Sequence, residues 1–275
     1  MRGLAEFVMT GRKQAMIAVV LLGLVPLVNL LSPVVVGLVM LRKGLNEASV
    51  ILAFALLPLA AWAMIGDFVP IILLFGISGL ALLLRESESW EFTLLAAVGV
   101  GIAIEIYLRL QPALLDVLIQ QLEVYLQNNG LQEMQMEEVR SVLISAIGAV
   151  YMFLSIALLM LARYLQASLY NPGGFQQEFH LLRIEQKVAF LLIALMLLAS
   201  FEIVIPESWV LYFAVPLLFA GIGLVHGLAK QQNLSSMWLI AFYALLMLPV
   251  AIQLVVLAAL VDSWYDFRSR RKKPD

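Results

Sequence analysis

The sequence predicts an all-α polytopic membrane protein, and three observations carry that prediction. Hydrophobic residues make up 63% of the 275-residue chain and charged residues 13%, with a mean hydropathy of +0.98. A soluble domain carries about 25% charged residues, so there is too little charge here to cover a globule. Apolar runs as long as the roughly 20-residue helix that crosses a hydrocarbon core of about 30 Å recur from Met16 to Val261. Stretches such as Val188 to Leu198 lack the ten-residue alternation of apolar and polar positions that a transmembrane barrel needs. A soluble domain and a barrel are both excluded.

The chain opens on a segment, 1–13, carrying Arg2, Arg12 and Lys13 ahead of the first apolar run. No A-x-A-like cleavage site follows, so the run is expected to be retained rather than removed as a signal peptide. Eight apolar runs follow: Gln14 to Leu41, Ala48 to Ile65, Phe68 to Leu84, Trp90 to Leu108, Val142 to Ala162, Val188 to Ile205, Trp209 to Leu228 and Met237 to Val261. The first is interrupted by Pro26, Asn29, Ser32 and Pro33, and the last by Pro249. Proline inside a helix removes a backbone hydrogen bond and kinks or ends it.

Basic residues arbitrate between single spans and hairpins, because cytoplasmic loops carry an excess of Lys and Arg. Of the 17 Lys and Arg residues, eight single crossings would place Arg42, Lys43, Arg85, Arg163, Arg183, Lys187 and Lys230 outside, a split of 10 to 7. If the first and last runs enter and return, only Arg109 and Arg140 stay outside, giving 15 to 2. The charge rule therefore favours two Pro-broken hairpins. Each arm is too short to cross comfortably, and backbone that stops being helical at membrane depth must be buried or line a watery cavity.

The segment 111–139 has no Lys or Arg but carries Asp116, Glu123, Glu133, Glu137 and Glu138, so it is expected outside. Leu114, Leu115, Leu118, Leu122, Tyr125 and Leu126 recur at helical spacing. Asn128-Asn129-Gly130 supplies a break, and Leu131, Met134, Val139 and Val142 resume the period. This is an amphipathic external helix pair, either lying on the interface or capping a pore, or else a solvated connector with one apolar side. The organisation expected is thus a membrane bundle over 14–162, a cytoplasmic Pro-Gly-Gly loop over 163–187, C-terminal membrane helices over 188–261 and a basic tail over 262–275.

Polar residues inside apolar runs are the ligand-binding candidates: Asn29, Glu105 and Gln253. An ionisable side chain at the bilayer centre costs on the order of 3 kcal/mol, so one that survives faces a cavity or a partner. Glu105 has Arg109 four residues on, and an i,i+4 pair near the interface explains it equally well. The loop motif comprises Arg163, Asn171, Pro172, Gly173, Gly174, Phe175, Glu178 and Arg183. Its Pro-Gly-Gly demands a turn with positive φ, after which Phe175, Phe179, Leu182 and Gln186 fall on one helical face. Glu178 and Arg183 either pair with neighbours or dock another protein. The order Trp264, Tyr265, Phe267 and then Arg268 to Lys273 suits an anchor on anionic lipid.

Three of these segments carry a resemblance: Leu41-Arg42-Lys43-Gly44, the Arg163 to Arg183 stretch with Asn171-Pro172-Gly173-Gly174-Phe175 and Glu178-Phe179, and Asp262 to Arg268. Over nearly the whole chain they resemble the YybS-like bacterial membrane proteins, which carry a domain of unknown function. That family is similar, in its first six segments, to the substrate-binding S components of energy-coupling-factor vitamin transporters, whose short second span follows a proline-rich connection. Pro33 to Leu41 looks like such a span. The resemblance implies a bacterial inner (cytoplasmic) membrane protein that binds a small molecule, with no established activity to carry over. The three runs after Arg183 depart from the S components.

There is no cysteine, which removes disulfides, thiolate catalysis and Cys-ligated metals. No HExxH, Walker A loop, Gly-rich dinucleotide loop or nucleophile–base pair occurs. A non-enzymatic protein without cofactor or metal is expected, partnered by the lipid bilayer and by no nucleic acid. Two functions compete: small-molecule binding or transport through a polar cavity between the broken helices, and a non-catalytic membrane scaffold or assembly factor whose loop docks a cytoplasmic protein.

Overall fold

The computed structural model describes residues 1–128 and 136–270. Among these residues every regular element is helical: α1 (Arg2–Thr10), α2 (Arg12–Leu24), α3 (Leu31–Lys43), α4 (Leu45–Met64), α5 (Val69–Ser87), α6 (Trp90–Leu110), α7 (Ala113–Asn128), α8 (Met136–Tyr170), α9 (Gly174–Leu181), α10 (Gln186–Ser200), α11 (Val210–Gln231), α12 (Ser236–Leu245), α13 (Pro249–Tyr265) and α14 (Phe267–Arg270), with short 3-10 turns at Val28–Leu30 and Glu207–Trp209. Five helices are long and apolar enough to cross a membrane: α4, α5, α6, α8 and α11 with its leading turn. The α12–α13 pair, bent by 115°, makes a sixth if it is one span.

The eight apolar runs therefore do not become eight spanning helices. The run Val188 to Ile205 yields only the 15-residue α10, which stops at Ser200. Beyond it the chain turns through Glu202 and Val204, both at positive φ, a geometry that no helix continues. The first and last runs both break at an X-Pro step. Val25 before Pro26 is extended (φ −97°, ψ 122°), as is Leu248 before Pro249 (φ −93°, ψ 128°), because the proline ring disfavours helical geometry in its predecessor. Pro249 then opens α13, where its missing N–H is no loss. The expected break of the external pair at Asn129-Gly130, with Leu131 and Met134, lies outside the described residues, as does the tail beyond Arg270.

The helices form two compact units. One comprises Met1–Glu88 with Ala96–Leu169, the other Ser89–Leu95 with the chain from Tyr170 on. In the first unit α2, α3, α4 and α5 pack in succession. Every residue of α3 from Ser32 to Leu41 is buried. A helix buried this completely must have its terminal carbonyls satisfied by protein. Gly44, at φ +86°, donates its N–H to the Met40 carbonyl at 3.0 Å. The Leu41 carbonyl accepts from Arg85 Nη1 at 2.9 Å and from Gln166 Nε2 at 3.3 Å. Two contacts set α2 alongside α4: Arg12 Nη2 pairs with Glu47 Oε1 at 2.5 Å, and a Cβ on Gly23 would stand 2.4 Å from Pro58 Cγ.

In the second unit α11 is the hub, packed against α9, α10 and α13. Gly221 meets the Val255 backbone of α13, while Gly223 and Gly227 meet the Phe179 and His180 carbonyls of α9. Small residues at such crossings let backbones approach closely. None of the residues of α12 is buried.

Candidate functional site

The three ligand-binding candidates lie on three different elements. Asn29 lies half-buried in the 3-10 turn between α2 and α3. Glu105 is 1% exposed, and both Nε (2.9 Å) and Nη2 (2.7 Å) of Arg109 donate to its Oε1. Arg109 Nη2 also donates to Ser141 Oγ at 3.2 Å, so the pair ties α6 to α8. The i,i+4 pair with Arg109 is present. Gln253 sits on the exposed face of α13 in the second unit, not in an interior, because the helix turns Val255, Val256 and Ala259 inward instead.

Between Glu105 and Arg109, Tyr107 supplies a tether. The Tyr107 hydroxyl donates to the Gly66 carbonyl and accepts the Phe68 N–H at 3.1 Å, closing the α4–α5 turn. Asp67 Oδ1 accepts the Val69 N–H at 3.0 Å at the head of α5. The only sequence signal was the Gly66-Asp67 turn itself, whose backbone groups need partners.

The Pro-Gly-Gly motif is more helical than expected. Arg163 to Tyr170 form the last two turns of α8 rather than the start of a loop, because nothing breaks the helix before Asn171-Pro172. Arg163 donates to Gln166 within α8. Positive φ falls at Gly173 (+87°), whereas Gly174 already begins α9, its N–H donating to the Asn171 carbonyl at 2.9 Å. Strain from a side chain therefore belongs to Gly173. At Gly174 a Cβ would meet the Asn171 amide nitrogen at 2.2 Å, the far end of a side chain that can swing away. Gly173→Val is expected to destabilise by about 1–2 kcal/mol, measured as a lower unfolding midpoint in detergent, and Gly174→Ala by less. The reverse order would contradict this assignment.

Beyond the turn the loop motif is engaged within its own unit. Trp90 Nε1 donates to Glu178 Oε2 at 3.3 Å, and the Trp90 ring meets Phe175 edge-on at 6.3 Å. Phe175 stacks on Phe179 at 6.0 Å, and Phe179 meets His226 at 5.4 Å. His226 Nε2 lies 2.8 Å from the Tyr243 hydroxyl of α12, and its ring is 6.3 Å from that of His180. The helical face expected from Phe175 to Gln186 ends early, since α9 stops at Leu181 and the chain is extended before α10.

Two arginines exchange helix ends. Arg183, which follows α9, donates to the Asp262 (3.0 Å) and Ser263 (2.9 Å) carbonyls at the end of α13 and pairs with Asp266 Oδ2 at 3.1 Å. Arg268, which follows α13, donates to the His180 (2.7 Å) and Leu182 (2.9 Å) carbonyls at the end of α9. Its Nη2 pairs with Asp262 Oδ2 at 2.5 Å, while Asp262 Oδ1 accepts the Phe267 N–H at 2.8 Å. Both partners are buried, Arg268 at 6% exposed and Asp262 at 2%. Arg268 is thus a lock between helix ends rather than part of a lipid-facing basic anchor. Although burial pushes the Asp266 carboxyl up, the Ser269 N–H and Arg183 outweigh it and hold the group below its ordinary range.

This arrangement is suited to holding helices together. Among the described residues no group of three His, Asp or Glu side chains stands close enough to hold a metal ion. No protein-family model, curated protein or solved structure matches the chain. Several of its helices are apolar and long enough for an integral membrane protein.

Proposed function

We propose that this is a multi-pass protein of a bacterial inner membrane whose first unit binds a small molecule entering from outside, in the manner its resemblance to S components implies. With α10 and α11 crossing as a pair, the charge split of 15 to 2 supports an orientation with both termini, Arg42, Arg85 and Arg183 in the cytoplasm and 111–139 outside. The observation that carries the binding proposal is the shortness of α2 and α3. Each has 13 residues, about 20 Å of helix against a core of about 30 Å. Gly23 is level with Pro58, and α4 runs on to Met64, about 9 Å further. The turn between α2 and α3 is therefore left below the end of α4, with Leu27 84% and Val25 48% exposed. Non-helical backbone at that depth is tolerated where it faces a water-filled recess. Its apolar tip and the Asn29 amide suit a small, mainly apolar ligand with one hydrogen-bonding group.

The competing scaffold function, with the Pro-Gly-Gly segment docking a cytoplasmic partner, has less support, because Glu178 and Arg183 are engaged within the chain. Single cysteines introduced into this Cys-free chain test the proposal. Leu27→Cys and Asn128→Cys are expected to react with an impermeant maleimide in intact spheroplasts, and Ser269→Cys to be protected. A small molecule should travel with the protein in native mass spectrometry and be lost from Leu27→Trp. An unreactive Leu27→Cys would remove the recess, and a reactive Ser269→Cys would reverse the orientation.

A further inference from the structure

Helix α9 crosses α11 at two glycines, Gly223 and Gly227. A Cβ on Gly223 would stand 2.7 Å from the Phe179 carbonyl, and one on Gly227 2.8 Å from the His180 carbonyl. Backbone thus meets glycine there, with Leu182 Cβ 3.2 Å from the same position on Gly223 and the Phe179 ring against His226. Beside it stand the chain's only two histidines, His180 on α9 and His226 on α11, with rings 6.3 Å apart. Lys230 on α11 and Arg268 on α14 place positive charge on the same flank. We propose that α9 is a strap released by acid: protonation of His180 and His226 beside Lys230 and Arg268 lifts it from the glycine face of α11.

The charges around the pair set the sign. On α9, Glu178 is occupied with Trp90. On α13, Asp262 pairs with Arg268, and Asp266 with Arg183. From α12 only the neutral Tyr243 hydroxyl reaches His226. Burial, and then the charges of Lys230 and Arg268, hold the His180 imidazole below its ordinary value. The seated strap therefore binds fewer protons than the lifted one, so its seating is complete above the ordinary histidine range and weakens as pH falls through it. Lifting would break the Trp90–Glu178 bond and the Arg268 bond to the His180 carbonyl, and free the turn at Asn171-Pro172-Gly173.

Hydrogen exchange of the full chain in lipid nanodiscs tests this, with rates corrected for the intrinsic pH dependence. Between about pH 7.5 and about pH 5.5 exchange in segment 171–185 should accelerate at least threefold or so, while α4 and α5 stay unchanged. His180→Gln combined with His226→Gln should flatten that response, and Lys230→Gln should diminish it. No acid response in the wild-type chain, or the same response in the double variant, overturns the strap. If the double variant proves open at every pH, Lys230→Gln decides alone, and an undiminished response there overturns it too.

Discussion

Replacing Arg268 with alanine is expected to destabilise the second unit by about 3–5 kcal/mol, because it leaves the Asp262 carboxylate buried without its partner. The same change strips the His180 and Leu182 carbonyls of their donor, adding about 1–3 kcal/mol for each group that stays dry. Asp262→Asn should be milder than Arg268→Ala, since the amide oxygen can still accept the Phe267 N–H while only the charge is lost. The double change Arg268→Met with Asp262→Leu separates the two contributions. It removes the stranded charge but not the stranded carbonyls, so it should recover part of the loss and no more. The midpoint of unfolding in detergent, followed by size-exclusion after heating, reads all four proteins. An Arg268→Ala chain within about 1 kcal/mol of wild type would mean that the cluster is a solvated surface pair.

That lock also marks where sequence reasoning reached its end. Helix content and the places where helices stop were legible, since they depend on neighbours in the chain. Val25 and Leu248 are extended because a proline follows each of them, and Glu105 meets Arg109 because four residues on a helix make one turn and a little more. The Asp262–Arg268 pair spans the left-handed Asp266 that ends α13, a bend that no period discloses. The exchange of carbonyl partners between Arg183 and Arg268 needs two helix ends separated by about 80 residues of chain to meet. Run length and lone polarity are each incomplete guides. The run Val188 to Ile205 was long enough to span but turns at Phe201, and Gln253, a lone polar residue in an apolar run, faces outward. Hydropathy carries no information on which face of an all-apolar helix its neighbours will cover. One signal was present and went unused: Gly223 and Gly227 are separated by three residues, the spacing at which two small residues open one face of a helix to another backbone.

The other large effect is expected at Gly221. A Cβ there would stand 2.5 Å from the Val255 carbonyl oxygen, 2.6 Å from Val255 Cγ1 and 3.2 Å from the Val255 carbonyl carbon. Two of these three atoms are backbone, so no rotamer change relieves the clash and α13 itself must move. Val255, Val256 and Ala259 form the buried side of α13, and a shift that spares Gly221→Ala would loosen all of them. Overpacking costs about 1–3 kcal/mol where side chains can adapt, and Gly221→Ala belongs at or above the top of that range. Gly99 and Gly79 supply the control, with nothing within 4 Å of a Cβ at either position. Replacing glycine by alanine inside a helix is worth about 0.5–1 kcal/mol of stabilisation when nothing collides, so Gly99→Ala should raise the unfolding midpoint while Gly221→Ala lowers it. Gly221→Leu should abolish folded protein. The paired design removes propensity from the comparison, since all sites gain the same methyl group in the same kind of helix. Equal midpoints for Gly221→Ala and Gly99→Ala would mean that α11 and α13 do not cross at Gly221.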